Sequence, residues 1–191
     1  MKVLVARTDR LGDLVLSVPV FGWLGKVRPG WEVHAMVAPG TAALVENNPN
    51  VAGVWTWTGE ESEAETRDLA ARLAGAGFDA VVFLQYRREL ASLARRAGIP
   101  LRYGPRSKPS SWLPFFLNRG RWQRRSRGRL HEMDYNLDLV RDLVKESGPE
   151  AEPGLHLTAD QIEVGHRFRE TEAAGARQVA FVPVSYTHLR A

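Results

Sequence analysis

Short runs of apolar, often β-branched residues alternate with segments of helical length over the first hundred residues. That alternation constrains the fold more than any other feature of the chain. "KVLVA" (2–6), "EVHAMVA" (32–38), "VAGVWTW" (51–57), "FDAVVFL" (78–84) and "PLRYG" (100–104) have the length and composition of strands. Between them, residues 13–27, "GTAALVENN" (40–48), "EAETRDLAARLAGAG" (63–77) and "RRELASLARRAG" (87–98) carry helical spacing, the last two closed by Gly77 and Gly98. Strands that alternate with helices pair in parallel, because each crossover brings the chain back to the same end of the sheet. The expected fold is α/β, a parallel sheet with helices on both faces.

Past Gly104 the alternation stops. "PRSKPSSWLPFFLNRGRWQRRSRGR" (105–129) holds three prolines, many arginines and an aromatic cluster, and predicts a functional loop. Helical spacing returns at His131, with Leu137, Val140, Leu143 and Val144 on one face and an end near Gly148. "EPG" (152–154) predicts a linker, 158–175 a helix capped by Thr158, and "RQVAFVPV" (177–184) a strand that opens a second domain. The expected organisation is a first domain over 1–150 and the beginning of another over 151–183.

The chain of 191 residues is 44% hydrophobic and 25% charged, which is ordinary for a globular domain. Without cysteine it can build neither a disulfide framework nor a thiolate metal site, which fits a reducing, cytoplasmic setting. "MKVLVARTDRLGD" matches neither a secretory signal nor a transit peptide. The longest apolar stretch, Leu14 to Leu24, is about half of the roughly 20 residues a spanning helix requires.

Charge is distributed unevenly. Residues 87–130 hold 13 of the 26 Lys and Arg and one acid, Glu89, so this segment is +12 and the remainder −8 in a chain of net +4. A basic block of this kind implies an anionic partner. Arg121, Arg124, Arg125 and Arg127, interleaved with Trp112 and Trp122, suit an anionic membrane surface, where tryptophan takes the headgroup region. A solvated charge run and a single-stranded nucleic-acid site are the other readings, although no nucleic-acid motif accompanies them.

"ARTDRLGDLVLSVP" (6–19) carries the chemistry. Ligands of an open parallel sheet gather beyond the carboxyl ends of its strands, and Asp13 stands at such an end where a helix begins. Asp13 is either the cap of that helix or a general base, and Gly12 either relieves a tight turn or admits a ligand. Asp9 fits an Asx turn or an acceptor contact, and Arg7 and Arg10 fit pairing with these acids, solvation, or a substrate phosphate or carboxylate. His131, beside Glu132 and Asp134, lacks the spacing of a metal site and is assigned no chemistry, and no metal is expected. Trp55 and Trp57 share one side of their strand and are expected to pack rather than bind sugar.

Four stretches in order, "VLVARTDRLGDLVLSVPV", "NNPNVAGVW" (47–55), "FDAVVFLQYRRELASLARRAGIPLRYG" (78–104) and "HEMDYNLDLV" (131–140), resemble the bacterial lipopolysaccharide heptosyltransferase family, glycosyltransferase family 9, over residues 2–183. The resemblance implies the GT-B architecture, in which two Rossmann-like domains face a cleft, the first holding the acceptor and the second the nucleotide sugar. It implies that this chain is the first half, truncated at the start of the second domain. It also implies transfer of a heptose from ADP-heptose to the anionic lipid A/Kdo inner core, with inversion and without metal or cofactor. The enzyme is then a monomer, peripheral on the cytoplasmic face of the inner membrane, with no nucleic-acid partner. Asp13 takes the place of the family's general base, with Arg10, Gly12 and Arg7 around the acceptor. "VSYTHLRA" (184–191) does not match the family and is expected to be a non-native tail, so the fragment alone is expected to be inactive. A non-catalytic module for an anionic membrane or single-stranded nucleic acid is the alternative.

Overall fold

A computed structural model describes residues 1–106, 116–125, 128–152 and 154–172. The strand expected over 177–184, the tail, Trp112 and Arg127 lie outside the described residues. The chain divides into two compact units, 1–156 and 157–191.

In the first unit six strands, β1 (Lys2–Arg7), β2 (Glu32–Val37), β3 (Gly53–Thr56), β4 (Ala80–Phe83), β5 (Leu101–Arg106) and β6 (Arg119–Trp122), form one parallel sheet. Their order is β3-β2-β1-β4-β5-β6. Val3 pairs with Val33 on one side of β1 and with Ala80 on the other, which fixes the register of the sheet centre. This is the doubly wound Rossmann order, and its direction reverses between β1 and β4.

The central strands are apolar throughout because both faces are covered. Val3 and Val5 face a layer made by α1 (Leu11–Val15), α2 (Pro19–Val27) and α5 (Glu132–Val144). Leu4 and Ala6, one residue out of phase, face α3 (Glu63–Ala76) and α4 (Arg88–Arg96). Trp57 and Trp55 pack on this second face, as their alternation predicts. Helix α3 is set by its own sequence: Ser62 and Glu65 form a reciprocal capping box, and Gly77 ends it at φ 69.

Several local expectations are corrected. Residues 13–27 form two helices, because Pro19 has no N–H and its ring blocks the Val15 carbonyl, while the Ser17 hydroxyl donates to the Asp13 carbonyl at 2.7 Å. Residues 40–48 give a 3₁₀ helix, Pro39–Leu44, rather than an α-helix. Helix α5 ends on Lys145, a non-glycine residue at φ 58, before Gly148 is reached. The segment expected to be a loop contains β6, four mostly exposed residues with no apolar alternation to betray them. Gly120 lets β6 close on β5, since a Cβ there would collide with the Gly104 carbonyl oxygen. Residues 149–152 lie against the first unit: Trp23 donates to the Pro149 carbonyl at 3.1 Å, Lys26 pairs with Glu152 at 2.6 Å, and Ala151 is buried.

The second unit contains α6 (Ala159–Glu172), begun by Thr158, whose hydroxyl accepts from the Gln161 N–H at 3.2 Å. Among the described residues no helix is long and apolar enough to cross a membrane.

Candidate active site

Strand β1 ends on Arg7, and its chain turns outward at the point where strand order reverses. The segment after β4 ends at the same place. Together they line a cavity of about 510 Å³ with Thr8, Asp9, Arg10 and Asp13 from the first segment and Gln85 and Arg87 from the second. A crevice at the carboxyl edge of the switch point is where open α/β sheets bind ligands.

Arg7 is buried, 4% exposed, yet meets three carboxylates. Its Nε lies 2.6 Å from Asp9 Oδ1, Nη2 3.3 Å from Asp13 Oδ1 and Nη1 2.8 Å from Glu132 Oε1. Arg125 approaches Glu132 Oε1 from the other side at 2.5 Å. Both arginines donate to Asn136 Oδ1, at 3.4 and 3.1 Å, and the Asn136 amide donates to the Ser17 hydroxyl at 3.0 Å. The cluster has two guanidinium groups and three carboxylates, and Arg10 acts on Asp13 from the cavity side.

Burial and these charges meet at Asp13. Burial and then the neighbouring Asp9 push its carboxyl above the usual carboxylate range, against the pull of Arg7 and Arg10. Burial and neighbouring charges, rather than the helix end, set its ionisation. Asp13 is not the helix cap either: Arg10 holds the N-cap position of α1, no side chain caps it, and Asp13 lies inside the first turn. Asp9 is engaged by the Arg7 guanidinium in place of the expected Asx turn.

The residues singled out in the sequence separate into distinct places. Asp13 and Arg10 line the cavity, whereas Arg7 stands behind it and its fork is committed to acids. Gly12 has no left-handed φ, and a Cβ there would meet nothing within 4 Å, so no tight turn requires it and its flank is open. Thr8, Gln85, Arg87, Glu132 and Asn136 were not assigned to the site by sequence reasoning. Arg87 lies over the Trp57 ring at 5.4 Å, which holds it at the rim. Only the position of Gln85 and Arg87 just past an apolar strand gave a signal, and it became meaningful once β4 was known to adjoin β1. The Thr8 hydroxyl is buried and has no hydrogen-bond partner among the described residues.

Two arginines of the basic segment are paired with acids of α5. Arg121 pairs with Asp138 at 2.6 Å and Asp142 at 3.2 Å, and Arg125 is spent on Glu132. Both side chains named for an external anion therefore already have an acid beside them within the fold. Arg124 lies over the Trp122 ring at 5.8 Å, and Trp122 and Leu130 are exposed beside Arg129 in a second cavity of about 500 Å³. His131 caps α5, its Nδ1 accepting from the Met133 N–H at 3.4 Å. Among the described residues no group of three or more His, Asp or Glu has the arrangement to hold a metal.

Comparison with known proteins defines the class of molecule. The chain has the fold of about half of a GT-B-like glycosyltransferase. A family 9 glycosyltransferase from Veillonella parvula superposes with a TM-score of 0.76 at 17% identity, over 90% of this chain and 50% of that one. The E. coli ADP-heptose LPS heptosyltransferase II gives 0.69 at 20% identity over 89% and 50%, and E. coli heptosyltransferase WaaC with ADP gives 0.66 at 20% over 80% and 50%. A curated Haemophilus influenzae protein named "Putative glycosyltransferase" is 32% identical over 153 residues, 80% of this chain and 43% of that protein. No family model matches. The chain spans about half the length of these relatives. The particular likeness is thus to glycosyltransferase family 9 and its heptosyltransferases, as the sequence motifs imply.

Proposed function

We propose that this chain is the acceptor-side half of an inverting, metal-independent glycosyltransferase that uses Asp13 as its general base. The observation that carries the reading is the Asp13 carboxylate in the switch-point cavity, with its basicity raised by burial and by Asp9. A sugar hydroxyl is a poor nucleophile. Asp13 takes its proton as the oxygen forms a bond to the anomeric carbon and the bond to the nucleotide diphosphate breaks. Base strength rises with pKa, so a carboxylate above its ordinary range is better suited to this transfer than a solvated one. Arg10 and Arg87 at the same cavity supply donors for an anionic saccharide, and Thr8 and Gln85 supply neutral ones.

The donor in this reading is ADP-heptose and the acceptor the lipid A/Kdo inner core. Support comes from the family 9 likeness and from the neighbour described as heptosyltransferase WaaC with ADP-2-deoxy-2-fluoro heptose. The exposed Trp122 and Leu130 beside Arg124 and Arg129 support contact of this edge with the inner face of the membrane that carries the acceptor. The test joins this chain to a nucleotide-sugar domain and measures transfer from ADP-heptose to the inner-core saccharide. Transfer with inversion upholds the reading; a folded two-domain protein that binds both substrates and yields no product rejects it.

A further inference from the structure

We propose that Arg7 is the positioning residue of Asp13: its buried guanidinium, anchored from behind by Glu132 and Asn136, fixes the orientation and electrostatic environment of the carboxylate at the cavity edge. The inference rests on the reading of Asp13 as the base. Arg7 does not line the cavity, so it acts on substrate only through another residue. The arms of its fork divide among different partners. Nε holds Asp9, Nη2 reaches Asp13, and Nη1 is shared by Glu132 and Asn136. A planar fork can satisfy three directions at once, whereas a lysine ammonium on a flexible stem is a single point charge.

The anchor is itself tuned. Glu132 Oε1 is contacted by both Arg7 and Arg125, and Arg125 is held by Gln123 Oε1 at 2.9 and 3.1 Å. The row Asp13, Arg7, Glu132, Arg125, Gln123 therefore runs from α1 across β1 and α5 to the segment after β6, with charges alternating up to its neutral end. The groups that bear on Asp13 are Asp9 and Arg10 from the turn before α1, Arg7 from β1, Arg87 from the segment after β4, and Glu132 from α5 through Arg7. Glu132 competes for the positive charge that favours ionised Asp13. Arg125 weakens that competition.

Carbon-detected NMR titration of the Asp13 carboxyl in the full chain tests the arrangement, with amide spectra reporting the fold. Glu132→Gln removes the competing carboxylate, so the Asp13 midpoint is expected to move down. Arg7→Lys withdraws the fork, so the midpoint is expected to move up. A role confined to packing would leave the Asp13 midpoint unmoved in both folded variants. In the two-domain enzyme Arg7→Lys is expected to lower kcat by roughly 10²-fold with little change in KM for the nucleotide sugar. An Asp13 midpoint unmoved in folded Glu132→Gln overturns the proposal, and this variant decides the matter if Arg7→Lys does not fold. Opposite shifts accompanied by undiminished turnover of Asp13→Asn would uphold the coupling and reject the base assignment, so the two failures are distinct.

Discussion

Helix α5 serves two arginine-centred clusters that share the same pairing chemistry and reach opposite electrostatic results. Around buried Arg7, three acids meet two bases and Asp13 is pushed above its ordinary range by burial and Asp9. Around Arg121, which is 42% exposed, Asp138 and Asp142 are matched by Arg121 and Lys145. Burial opposes the ionised form of Asp142 there too, but Tyr103, Lys145 and Arg121 outweigh it and hold the carboxyl below its ordinary range. Tyr103 is in turn pushed upward by burial and by its hydrogen bond to Asp142. An arginine beside an acid does not define a function. The balance of charges around the acid decides which way its ionisation is shifted.

The largest contrast between the clusters is expected in turnover. Asp13→Asn in the two-domain enzyme should lower kcat by roughly 10²- to 10⁴-fold, while Asp142→Asn should leave it near the parent value. Steady-state kinetics on both variants would break the comparison if their losses were alike.

Stability should separate the two arginines next. Arg7→Met leaves Asp9, Asp13 and Glu132 without their shared counter-charge and should cost about 3–5 kcal/mol, the range for a broken buried pair. Arg121→Met should cost no more than about 1 kcal/mol, because solvent screens the pair and the side chain is ordered at an entropic cost. Urea denaturation of the 191-residue chain measures both.

Acid titration sharpens the comparison through the sign of each slope. Asp13 binds its proton more tightly in the folded chain than in the unfolded one, so its ionisation lowers stability as pH rises through its folded midpoint. Asp13→Asn should therefore be neutral or stabilising near pH 7, an advantage that fades as pH falls toward the ordinary carboxylate value of about 3.9. Asp142 has the opposite shift. Its contribution is present above its unfolded value and is lost as pH falls through its folded one, so Asp142→Asn should be destabilising at neutral pH and indifferent in strong acid. Parallel pH–stability curves for the two variants would dissolve the distinction.

The smallest expected effect lies at the exposed edge beside Arg121. Association with anionic vesicles should weaken as salt rises, and Arg124→Ser with Arg129→Ser should reduce it by about 1 kcal/mol per charge, whereas Arg121→Ser should do less because its charge is already met by Asp138 and Asp142. Equal losses at all three positions would show that internal pairing does not withdraw Arg121 from the surface.

The sequence by itself determined what is local. β-Branched runs set β1, β2 and β4, the Ser62 cap and Gly77 set α3, and Asp13 stood out because a carboxylate follows the first strand at a ligand-binding edge. It also marked Arg7, Arg10 and Gly12 as neighbours of that carboxylate, though not which of them faces the cavity. Only the tertiary structure decided the rest. β6 carries no apolar pattern, and its pairing depends on Gly120 meeting Gly104. Gln85 and Arg87 join the site because β4 lies beside β1, a choice of strand order that no short-range signal encodes. Glu132 reaches Arg7 across 125 positions of sequence, and a buried charge placed by that contact has the field of its folded neighbours instead of that of water. Ionisation is set by the sum of charges and solvent around a group, and that sum exists only after the chain has packed.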